Sequence, residues 1–310
     1  MRLPTLLSLT ALLLAGTVHG LDPAVAYARA IEATWAGILS KQRMLTEYTR
    51  VWEKGWGHGD LGIANEKAYG NRKIRFIYDR LVEARDSDRL PPKPVVCETG
   101  FMAGHSALIF LDALPNATFY EFDLGDLDCD PTHPHEACSS SGFATKNSKM
   151  LTEAYSPQRF VYVAGDIAKT LPAYKKKWDS TGVRCDVVFV DGRKGVHERR
   201  SDVISFQKIA KPEAMVFGDE ANGVACMSGA VNSTHPACNM RFKTEHAWNS
   251  LVRHNVLKFE SCSAPQLTPD GSPPTIEDNV CLWHFAPLGE AARRGGHGLG
   301  KLVDKVKSLR

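Results

Sequence analysis

The chain has 310 residues, of which 43% are hydrophobic and 24% are charged. This composition is typical of a globular protein with a full apolar core, and it excludes a disordered tail, a collagen-like repeat and a disulfide-only miniprotein. The 38 basic and 35 acidic residues leave a formal net charge of +3. A charge so close to balance gives no reason to expect nucleic-acid binding.

The N-terminal residues predict a secretory signal peptide. Arg2 precedes an apolar run over residues 6–16, and small residues lead to a cleavage site after Gly20. An uncleaved membrane anchor is the alternative, but the run is shorter than the roughly 20 residues that a span needs. No later segment of the sequence is apolar enough to cross a bilayer. We therefore expect a protein that is secreted or that stays in the lumen of the secretory pathway.

The eight cysteines would then lie in an oxidising compartment, where disulfides form. Three pairs are close in sequence and are predicted to be bridged: Cys129–Cys138, Cys226–Cys238 and Cys262–Cys281. Cys97 and Cys185 lie inside apolar, strand-like runs, where we expect buried free thiols rather than a bridge. No Cys-x-x-Cys pair occurs, so a zinc site is not expected. The glycosylation sequons at Asn116 and Asn232 agree with the same compartment.

The predicted elements change character near residue 90. Helical periodicity covers residues 24–40 and 65–84, and a proline-rich stretch then ends the helical region. Strands are predicted at residues 95–98, 117–123, 159–164, 185–190, 214–217, 256–261 and 279–285. The helices between them are predicted at residues 106–114, 146–155, 198–210 and 248–254.

This alternation predicts one doubly wound α/β domain with a Rossmann-like, seven-stranded sheet and an N-terminal helical cap. The last two strands are expected to form an antiparallel pair at one sheet edge, because no long helix separates them. The expected boundaries are residues 1–20 for the signal peptide, 21–92 for the cap, 93–288 for the α/β domain and 289–310 for a basic tail.

A glycine-containing turn lies between the first predicted strand and the next helix, with the sequence Glu-Thr-Gly-Phe-Met-Ala-Gly-His-Ser over residues 98–106. Its glycines, Gly100 and Gly104, let the backbone turn sharply and approach a ligand closely. The helix that follows points its free N–H groups toward the same place. The turn matches neither Gly-x-Gly-x-x-Gly nor a P-loop, so a dinucleotide is less favoured and a purely structural turn stays open.

Acidic residues follow the carboxyl ends of the next four predicted strands: Asp123, Asp166, Asp191 and the pair Asp219-Glu220. Ligands of open α/β sheets bind outside the carboxyl ends of the strands. Asp123 stands where an acid accepts both hydroxyls of a ribose, and Asp166 stands where an adenine would lie. One such acid alone is better explained as a turn former or helix cap, but acids at successive strand ends predict a shared ligand crevice.

On these residues, the chain from Val95 to Phe285 resembles the class I S-adenosylmethionine-dependent methyltransferases. The strand that ends in Val-Asp-Gly at residues 190–192 resembles a family of small methyltransferase domains. Residues 98–107 are similar to the glycine turn of catechol O-methyltransferase, with His105 in place of its tyrosine.

The resemblance implies a set of S-adenosylmethionine contacts in this chain. Glu98, Gly100 and Gly104 would shape the methionine pocket, which His105 adjoins, and Ser106 would hold the amino-acid end. Asp123 would bind the ribose and Asp166 would lie near the adenine. Asp191 would contact the cofactor if it does not ligate a metal.

The catechol-type resemblance further implies a divalent cation, with Mg²⁺ as the expected ion. Its ligands would be Asp191, Asp219 and Glu220, and Lys194 would be the catalytic base. Carboxylates suit such an ion, which lowers the pKa of a bound hydroxyl, and a nearby cation pushes a lysine toward its neutral form. Glu220 replaces an asparagine of the catechol pattern, and Arg193 replaces the histidine that usually follows Val-Asp-Gly. A structural role for Asp191 and a solvated loop at Lys194 therefore stay open.

The function expected from the sequence is a divalent-cation-assisted O-methyltransferase that acts on a small hydroxylated acceptor in the secretory pathway. One alternative is a metal-independent methyltransferase that modifies a sugar, lipid or peptide group. The other is a secreted binding module that keeps the methyltransferase fold without catalysis. Neither a nucleic-acid partner nor a transmembrane segment is expected, and the sequence leaves the acceptor and the oligomeric state open.

Overall fold

The computed structural model describes residues 70–101, 104–125, 148–155, 158–192, 195–219, 246–263 and 280–287, together with two helical residues, Gly37 and Ser40. Several predictions fall outside these residues: the signal peptide, most of the cap, the tail, the pairs Cys129–Cys138 and Cys226–Cys238, and the sequon at Asn232.

The strands form one seven-stranded sheet in the order β3-β2-β1-β4-β5-β7-β6. They are β1 (Val95–Thr99), β2 (Thr118–Asp123), β3 (Phe160–Ala164), β4 (Cys185–Val190), β5 (Ala210–Gly218), β6 (Leu257–Cys262) and β7 (Cys281–Phe285). Strands β1 to β5 are parallel, whereas β7 runs antiparallel to both β5 and β6. The predicted doubly wound sheet with an antiparallel edge pair is confirmed.

Helices cover both faces of this sheet. The described helices are α1 (Gly70–Asp86), α2 (His105–Ala113), α3 (148–155), α4 (Ile167–Thr181), α5 (Val196–Gln207) and α6 (246–253). Helix α4 is not predicted by the sequence pattern. Only Ile167, Leu171 and Trp178 of this helix are buried, and Pro172 lies inside it, so its apolar face is narrow and its pattern weak.

Two aromatic clusters fill the layers on either side of the sheet. On the face covered by α1, α2 and α3, the ring of Phe110 lies 5.7 Å from those of Phe119 and Phe189 and 6.0 Å from that of Phe217. On the face covered by α4, α5 and α6, buried aromatic rings again pack against one another: Phe122, Phe206, Trp178, Trp248 and Trp283. Burial on both faces explains why five of the six residues of β4 are apolar. The exception, Asp186, accepts the Val95 N–H and pairs with Lys211.

The cysteines correct one prediction. Cys262 and Cys281 form the expected disulfide between β6 and β7. Cys97 and Cys185, expected to be free thiols, form a second disulfide between the neighbouring strands β1 and β4, with their Cα atoms 6.0 Å apart. Both cysteines are fully buried in the apolar core, as the sequence predicts. The sequence did not predict that two strands separated by 88 residues become neighbours.

No helix within the described ranges combines the length and the apolar character that crossing a bilayer requires.

Candidate functional site

The strand order reverses direction between β1 and β4, which are neighbours in the sheet although β2 and β3 intervene in sequence. At such a switch point the loops after the two strands diverge to opposite faces and leave a crevice at the carboxyl edge. The backbone N–H of Asp191, directly after β4, donates to the carbonyl of Thr99 at the end of β1 over 3.0 Å. The glycine turn and Asp191 therefore meet at the switch point.

Gly100 is required by the close approach of these two chain segments. Its φ of +98° lies in a region that L side chains rarely adopt. A Cβ at this position would lie 2.7 Å from the carbonyl carbon of Asp191 and from the nitrogen of Gly192. The sequence interpretation assigned this glycine to ligand approach. In the structure, packing against the end of β4 already demands it.

Gly104 is required by a close contact with a different residue, Phe101. It precedes α2 with a φ of +84°, and a Cβ there would lie 2.6 Å from the Phe101 ring. Phe101 is 1% exposed and packs against Phe160 and Tyr162, at ring distances of 5.8 and 5.4 Å. The Phe101 side chain thus fills the space beneath the turn, and the turn's shape depends on it.

Asp123 lies at the end of β2, and its carboxylate accepts three described hydrogen bonds. Oδ2 accepts the backbone N–H of Phe101 over 2.9 Å. Oδ1 accepts the Gly125 N–H over 2.8 Å and the Tyr162 hydroxyl over 3.1 Å. Each carboxylate oxygen has two lone-pair sites. By these contacts Oδ1 is filled, and Oδ2 keeps one site for a ligand hydroxyl.

A buried carboxyl pair lies beneath the turn. Glu98 of β1 and Glu121 of β2 are register partners, and both side chains are fully buried. The Ser106 hydroxyl donates to Glu98 Oε1. Burial raises the pKa of Glu98 to about 8, and burial together with the neighbouring Glu98 raises the pKa of Glu121 well above its ordinary value. At neutral pH the pair therefore holds at least one proton.

His105 begins α2 and is almost completely buried, with 3% of its surface exposed. Burial lowers its pKa to about 4, because the charged imidazolium loses its hydration there. The imidazole is therefore neutral at physiological pH and adds no positive charge beside the turn.

Asp166 has a structural role of its own. It is the N-cap of α4, and its Oδ1 accepts the backbone N–H of Ala168 over 2.9 Å. This is the helix-cap role that the sequence left open for any single acid. The cap engages Oδ1 of the half-buried Asp166 and leaves Oδ2 outside this contact.

The carboxyl end of β5 carries a buried ion pair instead of an open acid. The Lys73 ammonium, on α1, lies 2.8 Å from Asp219 Oδ1, and the two side chains are only 6% and 7% exposed. The third predicted metal ligand, Glu220, and the predicted base, Lys194, lie outside the described residues. Across the part of the chain that the structure describes, no three His, Cys, Asp or Glu side chains converge to hold a metal. The Lys73 ammonium, which already pairs with Asp219, does not fit the divalent-cation site expected at this carboxylate.

Four buried side chains near the carboxyl edge were not singled out from the sequence: Lys73, Phe101, Glu121 and Arg199. Glu121 had a readable signal, since it is an acid in the otherwise aromatic and apolar centre of β2. Arg199 donates to the carbonyl of Val190 at the end of β4. Neither Lys73 nor Arg199 had such a signal, because each lies beside other basic residues in its helix.

A surface cleft of about 520 Å³ lies at the opposite, amino-terminal edge of the sheet. Two pairs lie at this cleft: Lys211 Nζ is 2.6 Å from Asp186 Oδ1, and His284 bonds Glu260. Because the cleft lies at the other end of the strands, it takes no part in the arrangement around the switch point.

The comparisons with known proteins agree with this architecture. Residues 97–221 match the family model described as a methyltransferase domain. Among curated protein sequences, none matches the chain.

Two solved structures share the fold of this chain. The O-methyltransferase TomG from Streptomyces achromogenes, solved with S-adenosylmethionine, is 17% identical, with a TM-score of 0.50 over 78% of this chain and 90% of that one. An O-methyltransferase from Bacillus cereus, solved with S-adenosylhomocysteine, is 10% identical, with a TM-score of 0.50 over 80% of this chain and 90% of that one. At such identities the structures show a shared fold. Together with the family match, they confirm the resemblance to class I methyltransferases.

Proposed function

We propose that this chain, whose residues 97–221 match a methyltransferase-domain family model, transfers the methyl group of S-adenosylmethionine to a hydroxyl oxygen of a small acceptor. The observation that carries the proposal is the arrangement at the switch point. The turn over residues 98–106 closes against Asp191 and is bonded to Asp123, so it forms one fixed rim at the carboxyl edge. The S-adenosylmethionine and S-adenosylhomocysteine bound to the two similar O-methyltransferases support this donor.

In this proposal the described residues bind and orient the donor. Asp123 accepts a ribose hydroxyl through the site that remains on Oδ2. Ser106 and the first N–H groups of α2 face the amino-acid end of the donor, whose carboxylate suits a helix N-terminus. The protonated pair of Glu98 and Glu121 supports this end of the pocket from below.

The transfer itself is an in-line displacement. The acceptor oxygen attacks the methyl carbon, a carbon–oxygen bond forms, and the carbon–sulfur bond breaks to release S-adenosylhomocysteine. The hydroxyl proton passes to a base, for which Lys194 remains the predicted residue. Fixing the two reactants in this geometry supplies much of the rate. No step is assigned to a metal, because Lys73 already lies on Asp219.

The proposal includes a secreted or lumenal location. Two disulfides in the described core, Cys97–Cys185 and Cys262–Cys281, are consistent with an oxidising compartment. Asn116, the first residue of a sequon, lies exposed in the turn that precedes β2, as a glycan acceptor requires. The signal peptide predicted for residues 1–20 supports the same location.

Calorimetric titration of the purified full chain with S-adenosylhomocysteine tests the proposal. We expect micromolar binding, at least a tenfold loss for Asp123→Ala, and no change for Asp179→Ala, an exposed acid of α4 that pairs with Lys175. A second arm offers small phenols and alcohols with methyl-labelled donor, and compares Lys194→Ala with Lys175→Ala. Binding without transfer to any acceptor would favour the binding module, and absence of donor binding would refute the proposal.

A further inference from the structure

The ammonium group of a lysine, Lys73, lies at the end of β5. Lys73 Nζ donates to Asp219 Oδ1 over 2.8 Å, and the two residues are 146 positions apart in sequence. Lys73 and Asp219 are each 5% exposed overall. A lysine buried to this degree is unusual, because its ammonium loses its hydration and needs a close anionic partner. Asp219 supplies one.

The packing of α1 fixes where this ammonium lies. Helix α1 buries Ile77 and Leu81 against the sheet and α2, and Phe76 contacts the Phe217 ring of β5 at 6.4 Å. These contacts lie along the helix from Lys73 toward its C-terminal end. The helix is therefore anchored to the sheet independently of the ion pair, and it holds the lysine at the carboxyl edge.

Asp219 is also one strand away from Asp191. Its backbone N–H donates to the carbonyl of Val190, the last residue of β4, over 3.3 Å. The ends of β4 and β5 thus bring two acids to one edge, which is where the catechol-type resemblance implies a divalent cation. A divalent ion bound to the Asp219 carboxylate would meet the Lys73 ammonium at short range in a buried environment, where like charges repel strongly.

We infer that the Lys73 ammonium takes the place of a divalent cation at the carboxyl edge, and that this lysine positions Asp219. The fixed positive charge neutralises the carboxylate and ties α1 to the site. An exchangeable metal ion is then not needed to neutralise Asp219. The binding part of this inference does not depend on methyl transfer. Its kinetic consequence, turnover that is insensitive to chelators, rests on the proposed function.

Manganese binding measured by electron paramagnetic resonance tests the inference on the full chain. We expect no Mn²⁺ binding to Asp219 in the wild-type chain below millimolar concentration. Lys73→Met keeps an apolar stem of similar length and removes the charge, so it should raise the Mn²⁺ affinity at least tenfold. Lys175→Met removes a lysine that pairs with Asp179 at the surface, and should leave the affinity unchanged.

Two results would overturn the inference. One is micromolar Mn²⁺ binding to the wild-type chain that Asp219→Asn abolishes, because the carboxylate would then serve a metal beside Lys73. The other is an equally weak affinity in a folded Lys73→Met chain, because the edge would then be no cation site even without the lysine. If Lys73→Met fails to fold, Lys73→Gln takes its place in the same comparison, with the same expected rise in Mn²⁺ affinity. Failure of the wild-type chain to bind S-adenosylhomocysteine would instead count against the proposed function and leave this inference intact.

Discussion

The backbone N–H of Phe101 donates a hydrogen bond to Asp123 Oδ2 over 2.9 Å. This contact joins the turn after β1 to the end of β2, and the Gly100 N–H, which donates to the Phe122 carbonyl over 3.2 Å, joins the same two segments. Asp123 therefore shapes the rim before any ligand arrives. A site whose parts are already fixed loses less conformational freedom on binding than one that has to form around its ligand.

Asp123→Asn separates the structural role of this side chain from its charge. An amide offers one acceptor oxygen for the donors that two carboxylate oxygens now accept, so the Phe101 or the Gly125 N–H loses its partner. We expect a loss of about 1–3 kcal/mol in the free energy of unfolding. Urea denaturation measures it, with Tyr162→Phe as a milder control that removes only the 3.1 Å contact. Equal losses for both variants would contradict the role of Phe101.

Gly100→Ala tests the contact between the turn and the end of β4. The new Cβ would lie 2.7 Å from backbone atoms of Asp191 and Gly192, so we expect a loss of about 3 kcal/mol or more in stability. Gly182→Ala is the matched control, because Gly182 also has a positive φ, of +71°, but nothing within 4 Å of the added Cβ. The control should lose about 1–2 kcal/mol from backbone strain alone. Similar losses at the two positions would show that the close approach is unimportant.

The disulfide between Cys97 and Cys185 closes a loop of 88 residues, whereas Cys262–Cys281 closes one of 19. Loop-closure entropy predicts stabilisation of about 4–5 kcal/mol for the first and about 3 kcal/mol for the second. Replacing each pair by alanines, followed by urea denaturation, should therefore cost more for the first pair. Peptide mapping without reduction should find Cys97 linked to Cys185. Alkylation of Cys97 in the folded, unreduced chain would refute the bridge.

Stability should fall as the pH rises through the range in which Glu98 and Glu121 titrate. Their pKa values are raised on folding, to about 8 for Glu98, so the folded chain binds more protons than the unfolded chain between about pH 4.5 and 8. The buried pair therefore lowers the free energy of unfolding least at low pH, where both carboxyls are protonated. Glu121→Gln removes one charge and should reduce the fall between pH 5.5 and 8 by at least about 1 kcal/mol. Denaturation at several pH values measures this change.

Glu153→Gln, at an exposed position of α3, is the control for this pH dependence and should leave the fall unchanged. A Glu121→Gln chain with the same pH dependence as the wild type would show that the pair does not hold a proton in the folded state.

The sheet was predictable because its strands carry strong local signals. Strand β4 is a six-residue buried run with a turn signal directly after it, and its predicted and observed ends agree. Helix α4 was not predictable in the same way, because the two turns between Leu171 and Trp178 bury no side chain. Local pattern reveals an element only when enough of its residues face the core.

The site was predictable where chain order alone determines it. Asp123 ends β2 and Asp191 directly follows β4, so the direction of the parallel strands brings them to one edge. The contact between Lys73 and Asp219 joins residues 146 positions apart, and the bridge between Cys97 and Cys185 spans 88. Both depend on which helix or strand packs beside which, and no local pattern carries that information.

A crystal structure of the full chain with S-adenosylhomocysteine would show whether the rim at the switch point binds the donor. We expect the nucleoside and its amino-acid tail at the carboxyl ends of β1, β2 and β4, with a ribose hydroxyl within hydrogen-bond distance of Asp123 Oδ2. Density for the ligand at another place, or side chains that fill this rim at saturating ligand concentration, would show that donor binding has been assigned to the wrong place.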